Sequence, residues 1–100
     1  MMLQADPQRL LESIDTLARF GGSDQGMNRF AYTPEEQAAL THLKACFTKA
    51  GLEVREDAVG NVFARWEGTE PGLPPLVTGS HIDTVRNGGR YDGARCPGRL

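Results

Sequence analysis

The apolar residues of this chain change their spacing at Gly51. Before it, they recur every three or four positions: Leu10, Leu11, Ile14, Leu17 and Ala18 in one run, Leu40, Leu43, Phe47 and Ala50 in another. That is the period of a helix with one buried face. After it, "LEVRED" alternates apolar with polar and "NVFARW" is rich in strand formers, the period of a half-buried strand. A chain of 100 residues is one domain long and can bury one modest core. The order therefore predicts an α/β unit, two helices followed by strands, rather than a bundle or an all-β sandwich.

Local signals set the boundaries. Asp6-Pro7 pairs a good N-cap with proline at the first helical position, and Gly21-Gly22 supplies a stop, predicting a helix over 7–20. "GGSDQGMNR", Gly21 to Arg29, reads as a flexible polar connector; it lacks the Gly-Lys-Ser/Thr ending of a phosphate-binding loop. "TPEE", Thr33 to Glu36, is a capping box, and Gly51 stands where a left-handed C-cap belongs, predicting a helix over 34–50. On that helix Cys46 reads as a small core residue beside the apolar stripe, and His42 as a solvated flank residue. Gly60-Asn61 can turn a hairpin spanning 52–66. "EGTEPGLPP", Glu67 to Pro75, is a connector. "LVTGS", Leu76 to Ser80, then reads as a short buried strand that delivers His81.

Composition narrows the partners. The formal net charge is −2, with lysine and arginine dispersed, so neither nucleic acid nor an anionic membrane is the expected partner. No apolar run approaches the roughly 20 residues of a membrane span, and the first residues lack a secretory core. Cys46 and Cys96 form no CxxC pair and are expected to be reduced thiols in a cytoplasmic protein.

The chemistry is concentrated in "GSHIDTVRNGGRYDG", Gly79 to Gly93, which holds one of the two histidines, two aspartates and four glycines. Imidazole and carboxylate are ordinary zinc ligands, and the C-terminal end of a strand in an open α/β sheet is where sites are built. His81 and Asp92 are the candidate metal ligands. Asp83, two residues from His81, can accept the second ring N–H of that histidine and so fix its tautomer. The glycines allow close backbone approach, and a carboxylate such as Asp92 can bridge two metals. Taken as residue types alone, one histidine and two aspartates in a loop are more often turn residues and a surface histidine than ligands, and they are too few to close a metal site.

The words of the stretch carry more. "GSHIDTV", an Asn-Gly-Gly and then "YDG" resemble the first metal-binding motif of the dinuclear zinc amidohydrolases in the hydantoinase/carbamoylase branch of the aminoacylase–carboxypeptidase superfamily. That branch includes allantoate amidohydrolase, N-carbamoyl-L-amino acid hydrolase and β-ureidopropionase. "GMNRFAYTPEEQAA" and "GLEVREDAVGNVFARWEGTE" resemble the same branch in order and spacing, so the likeness runs from about residue 7 to 94. Ten residues, Ile82 to Tyr91, separate His81 from Asp92; the peptidases of the superfamily usually have a longer insertion there.

The resemblance implies the N-terminal part of a zinc-exopeptidase-like catalytic domain over residues 1–94: two helices, a β-hairpin and a buried strand, incomplete as a sheet. It implies two divalent metal ions, zinc foremost with manganese or cobalt as alternatives, with His81 a terminal ligand, Asp92 the bridging ligand and Asp83 the carboxylate that orients His81. It implies hydrolysis of a C–N bond in a small ureido or N-carbamoyl substrate such as allantoate or an N-carbamoyl-L-amino acid, and a homodimer for the intact family member. The family's general-base glutamate lies in a Glu-Glu pair beyond this stretch, and no glutamate follows Asp92 here, so the chain alone is expected to be inactive. Arg29, Asn61 and Arg86 also match family text and read as capping, turn or surface residues. The Asp92–Gly93 bond is expected in an unusual, often cis, geometry. In "ARCPGRL", Arg95, Pro97 and Arg99 spoil the apolar helix the family has there, and residues 95–100 are expected to be an aberrant tail, of a frameshifted or prematurely ended copy or else of a deliberate fragment or wrong gene model. The competing expectation is a non-catalytic module that binds metal or pairs with another chain through exposed strand edges.

Overall fold

The computed structural model describes residues 4–92; the expected tail, Cys96 and the Asp92–Gly93 bond lie outside the described residues. Helix α1 spans Pro7–Ala18, with the Asp6 carboxylate accepting the amide N–H groups of Gln8 (3.0 Å) and Arg9 (3.4 Å). A helix start leaves its first four N–H positions without partners; Pro7 has no N–H, and Asp6 satisfies two of the remaining three. Ile14 and Leu17 form its buried stripe, while Leu10 and Leu11 are half-exposed. The helix stops two residues short of expectation because its end tightens: the Arg19 and Phe20 amides donate three residues back, to Thr16 and Leu17.

The run from Gly21 to Arg29 is not a flexible connector. It folds into a small antiparallel hairpin, β1 (Gly22–Ser23) and β2 (Gly26–Met27), with Ser23 Oγ donating to the Gly26 carbonyl at 3.0 Å. Met27 and Arg29 are both buried. Gly22 is required by close approach, since a Cβ there would stand 2.1 Å from the Ala18 carbonyl oxygen.

Helix α2 spans Pro34–Lys49. Thr33 Oγ1 accepts the Glu36 amide at 3.4 Å as the capping box predicts. The Glu36 carboxylate takes the amide of Tyr32, one residue before the expected partner. The C-terminus is a complete Schellman motif: Leu52 N–H donates to the Phe47 carbonyl, Gly51 N–H to that of Thr48, both at 3.0 Å, and Gly51 has φ +84°. Ala39 and Leu40 are buried. Cys46 is exposed rather than in the core, with Sγ 3.6 Å from His42 Nε2; it falls one turn-step outside the stripe that faces the hairpin. His42 is half-buried against Phe20, ring centroids 5.7 Å apart.

Strands β3 (Glu53–Glu56) and β4 (Val62–Arg65) pair antiparallel, Glu53 opposite Arg65 and Glu56 opposite Val62, and α2 lies against both. Arg55 covers the ring of its cross-strand partner Phe63 at 4.4 Å, a cation–π contact on the outer face. Lys44 of α2 pairs with Glu56 of β3. The turn is held by Asp57, whose Oδ1 accepts the amides of Val59 (3.1 Å) and Asn61 (2.8 Å), while Oδ2 accepts the Asn61 side chain (2.8 Å). Asn61 is thus the turn residue expected of it. Tyr32 reaches across from the start of α2 and donates its hydroxyl to the Val59 carbonyl at 2.8 Å.

The buried strand expected over 76–80 does not form. Residues 76–80 belong to neither hairpin, and Leu76 and Val77 are 91% and 77% exposed. A strand exists only by pairing, and among the described residues the four short strands already pair two by two. The result is two helices and two hairpins, with the apolar Leu73, Leu76 and Val77 on the surface.

Two outcomes follow from these local devices. The hydrogen bonds to Asp57 hold its carboxyl below the ordinary carboxylate range, the Asn61 side chain contributing most. A carboxyl depressed on folding stabilises above its unfolded value, near 3.9, and loses that contribution as pH falls through the lower folded value. The Val59 and Asn61 amide resonances should therefore titrate with a midpoint below 3.9, and a midpoint at or above it would show the cap is not formed. Gly51→Ala meets no atom within 4 Å of the new Cβ, so its cost is the left-handed backbone alone, about 1–2 kcal/mol. Hydrogen exchange at the Gly51 and Leu52 amides measures it, and an unchanged rate would rule it out.

Candidate functional site

His81 stands just before the loop from Ile82 to Asp92, which folds back over the β1–β2 hairpin. Four successive residues of the former "connector" hold it. A Cβ on Gly26, at φ +129°, would stand 2.8 Å from the main chain of Asn87, so only glycine lets the two strands of chain approach. Met27 and Gly88 exchange both main-chain hydrogen bonds, at 2.8 and 2.9 Å. Asn28 Oδ1 accepts the Asn87 amide at 2.9 Å, and its Nδ2 donates to Asn87 Oδ1 at 3.3 Å. Arg29 N–H donates to Thr84 Oγ1 at 3.0 Å, and the Arg29 carbonyl accepts the Thr84 amide at 2.7 Å.

The Arg29 side chain, 1% exposed, is the largest fully buried one among the described residues. Its Nη1 donates to the carbonyls of Leu17 (2.7 Å) and Phe20 (2.9 Å) at the end of α1, and Nε donates to the carbonyl of Ile82 (2.8 Å). Burial lowers its pKa, and the nearby Asp83 and Glu36 carboxylates oppose that shift; a guanidinium stays charged throughout. It is therefore neither a surface nor a turn residue, whereas Arg86 is exposed as expected. Nothing in composition or spacing separates an arginine that will be buried against carbonyls from one that will point to water. Thr84, 6% exposed, was equally silent.

With the loop clamped, His81, Asp83 and Asp92 come together. His81 Nδ1 lies 2.9 Å from the Asp83 carbonyl oxygen and 3.2 Å from Asp83 Oδ1. In a neutral ring that places the proton on Nδ1 and leaves the Nε2 lone pair free. Asp92 is carried back by a turn, its amide donating to the Gly89 carbonyl at 3.1 Å. Its Oδ1 stands 3.9 Å from His81 Nε2. That is too long for a hydrogen bond. A tetrahedral zinc at 2.0–2.2 Å from nitrogen and oxygen holds such donors about 3.4 Å apart, so the pair would have to close by about half an ångström to share one cation. All three side chains are about half-exposed. Arg90 anchors the loop's far end to Asp15 of α1 at 2.9 Å. Among the described residues no three His, Cys, Asp or Glu side chains converge as a metal site, so the arrangement offers two donors and an orienting carboxylate. No helix of the described residues is long and apolar enough to cross a membrane.

No protein-family model matches the chain. Individual proteins do. An N-carbamoyl-L-amino-acid amidohydrolase from Paenarthrobacter aurescens is 49% identical over 94 residues, covering 93% of this chain and 23% of that protein. The allantoate amidohydrolase of Bacillus subtilis is 49% identical over 86 residues (85% and 21%), and the ureidoglycolate hydrolase of Arabidopsis thaliana 44% over 92 (91% and 19%). Among solved structures, a hydantoinase/carbamoylase family amidase from Burkholderia ambifaria superposes with a TM-score of 0.88 at 37% identity over 93% of this chain and 23% of that one. AtUAH in complex with glyoxylate gives 0.86 at 43% over 92% and 22%. The two helices, two hairpins and clamped loop are thus a segment of known amidase structures, and the chain, which spans about a fifth of the length of these relatives, belongs to the hydantoinase/carbamoylase family of amidases.

Proposed function

We propose that this chain supplies the N-terminal, first metal-binding segment of a metal-dependent amidohydrolase that cleaves a C–N bond in a small ureido or N-carbamoyl compound. One observation carries the reading: His81 is held through Nδ1 by Asp83 with its Nε2 turned toward the Asp92 carboxylate, in a segment shared with amidohydrolases. His81 and Asp92 would hold the metal, Asp92 being the residue with a second oxygen to offer a second ion. When bound, such ions polarise the scissile carbonyl and acidify a water. Asp83 keeps His81 in the tautomer that can ligate and raises its basicity. The remaining ligands and the general base would come from sequence of the kind that makes up the other four-fifths of the relatives. The exposed Leu73, Leu76 and Val77 are the surface on which that sequence would lie, with 76–80 becoming the strand its composition predicts.

The substrate class stays broad for a physical reason. Relatives named for N-carbamoyl amino acids, allantoate and ureidoglycolate match this segment at 49%, 49% and 44% identity. The segment therefore builds the reactive centre common to them and not the part that distinguishes their substrates. AtUAH binds glyoxylate and (S)-hydroxyglycine, which supports small carboxylate-bearing, ureido-derived ligands.

Replacing the matching segment of the Bacillus subtilis allantoate amidohydrolase by residues 7–92 should give an active hybrid. In it His81→Ala and Asp92→Asn should abolish turnover, and Asp83→Asn should weaken metal binding about 10–100-fold. Full activity in the His81→Ala hybrid would overturn the assignment. The 100-residue chain alone should bind zinc only weakly, because two donors converge where a closed site has four. A submicromolar site by titration calorimetry would instead favour a self-sufficient metal-binding module.

A further inference from the structure

We infer that Arg29 is a positioning residue for the metal-binding histidine, acting through the main chain on both sides of Asp83; the metal part of this inference rests on the function proposed above. The geometry is a sling. Arg29 Nε holds the Ile82 carbonyl at 2.8 Å, just before Asp83. Its carbonyl and amide hold the Thr84 amide and hydroxyl, at 2.7 and 3.0 Å, just after it. One residue thus fixes the backbone at 82 and at 84, and with it the orientation of residue 83. Asp83 in turn meets His81 Nδ1 with two atoms, its own main-chain carbonyl and Oδ1. Rotating the backbone at 83 moves both acceptors at once. The same guanidinium is anchored at its far end to the Leu17 and Phe20 carbonyls, so the sling is referred to the end of α1 rather than to a mobile loop. Because a histidine ligand depends on what its other nitrogen donates to, a change at position 29 reaches His81 without touching it.

Lysine separates this role from simple capping. In Arg29→Lys the Cε methylene falls where Nε was and cannot donate to Ile82, while the terminal ammonium can still reach the helix carbonyls. The charge and the α1 cap survive, and the bond to the loop is lost.

The test uses the 100-residue chain and long-range ¹H–¹⁵N spectra of the histidine rings at about pH 8, where imidazole is neutral, with His42 as the internal reference. Wild-type His81 should carry its proton on Nδ1. In Arg29→Lys it should shift toward the Nε2–H form, while His42 and the β3–β4 amides stay unchanged. The Mn²⁺ concentration that half-broadens the His81 signals should rise about tenfold or more. Retention of the Nδ1–H form in a folded Arg29→Lys chain would overturn the inference, as would an Nε2–H form in the wild type. If the tautomer shifts but Mn²⁺ broadens His81 in neither protein, the positioning role holds and the metal reading fails. Should Arg29→Lys lose the β3–β4 amide pattern, Thr84→Val decides in its place. It deletes only the hydroxyl that accepts the Arg29 amide and must likewise release the Nδ1–H form.

Discussion

A buried guanidinium holds this molecule together. Removing a charge from water is costly, and a cation buried without acceptors would not persist. Arg29 meets the requirement with three main-chain carbonyls, two of them at the end of α1, where the helix dipole is negative and carbonyls lack partners. One cation therefore caps a helix and ties it to the loop that bears the candidate ligands. The apolar core is small, Ile14, Leu17, Met27, Ala39 and Leu40 among the described residues, and it cannot by itself dictate where residues 81–92 lie. Polar contacts of fixed direction do that instead.

The parts legible in the sequence were those whose cause is local. Asp6-Pro7, Thr33-Pro34 and Gly51 act within a few residues, and α1 and α2 begin and end within two residues of their signals. The β3–β4 hairpin follows from alternation plus an Asp57–Asn61 turn. What failed depended on partners distant in sequence. Gly21 to Arg29 looked slack because the loop it is bonded to, at Ile82, Thr84 and Asn87, lies 53 to 59 residues away. Leu76 to Ser80 has the composition of a buried strand, but composition does not provide the neighbours that make one. Cys46 lies close enough to the apolar stripe that helical spacing alone assigned it to the core.

The site shows the same division. Residue type and the wording of Gly79–Gly93 singled out His81, Asp83 and Asp92, and the fold brings Asp83 within 3.2 Å and Asp92 within 3.9 Å of the two ring nitrogens of His81. The residues that arrange them, Arg29 and Thr84, carry no chemical signature, since their side chains act on main-chain atoms and not on the candidate ligands. Near-equal identity to amidohydrolases named for different substrates shows that the segment is common to them.

The clamp between residues 26–29 and 84–88 also sets where the chain can tolerate a change of length. Its bonds run antiparallel: Met27 with Gly88 and Asn28 with Asn87 pair residue against residue, and Arg29 then skips Arg86 and Val85 to meet Thr84. A single insertion inside either half would shift that register and turn each side chain away from its partner. The intervening turns at 57–61 and 67–75 are bound by no such pairing to the site, so residues can be gained or lost there with the ligand loop undisturbed. Length variation among sequences that keep this site therefore belongs between the two halves of the clamp and not within them.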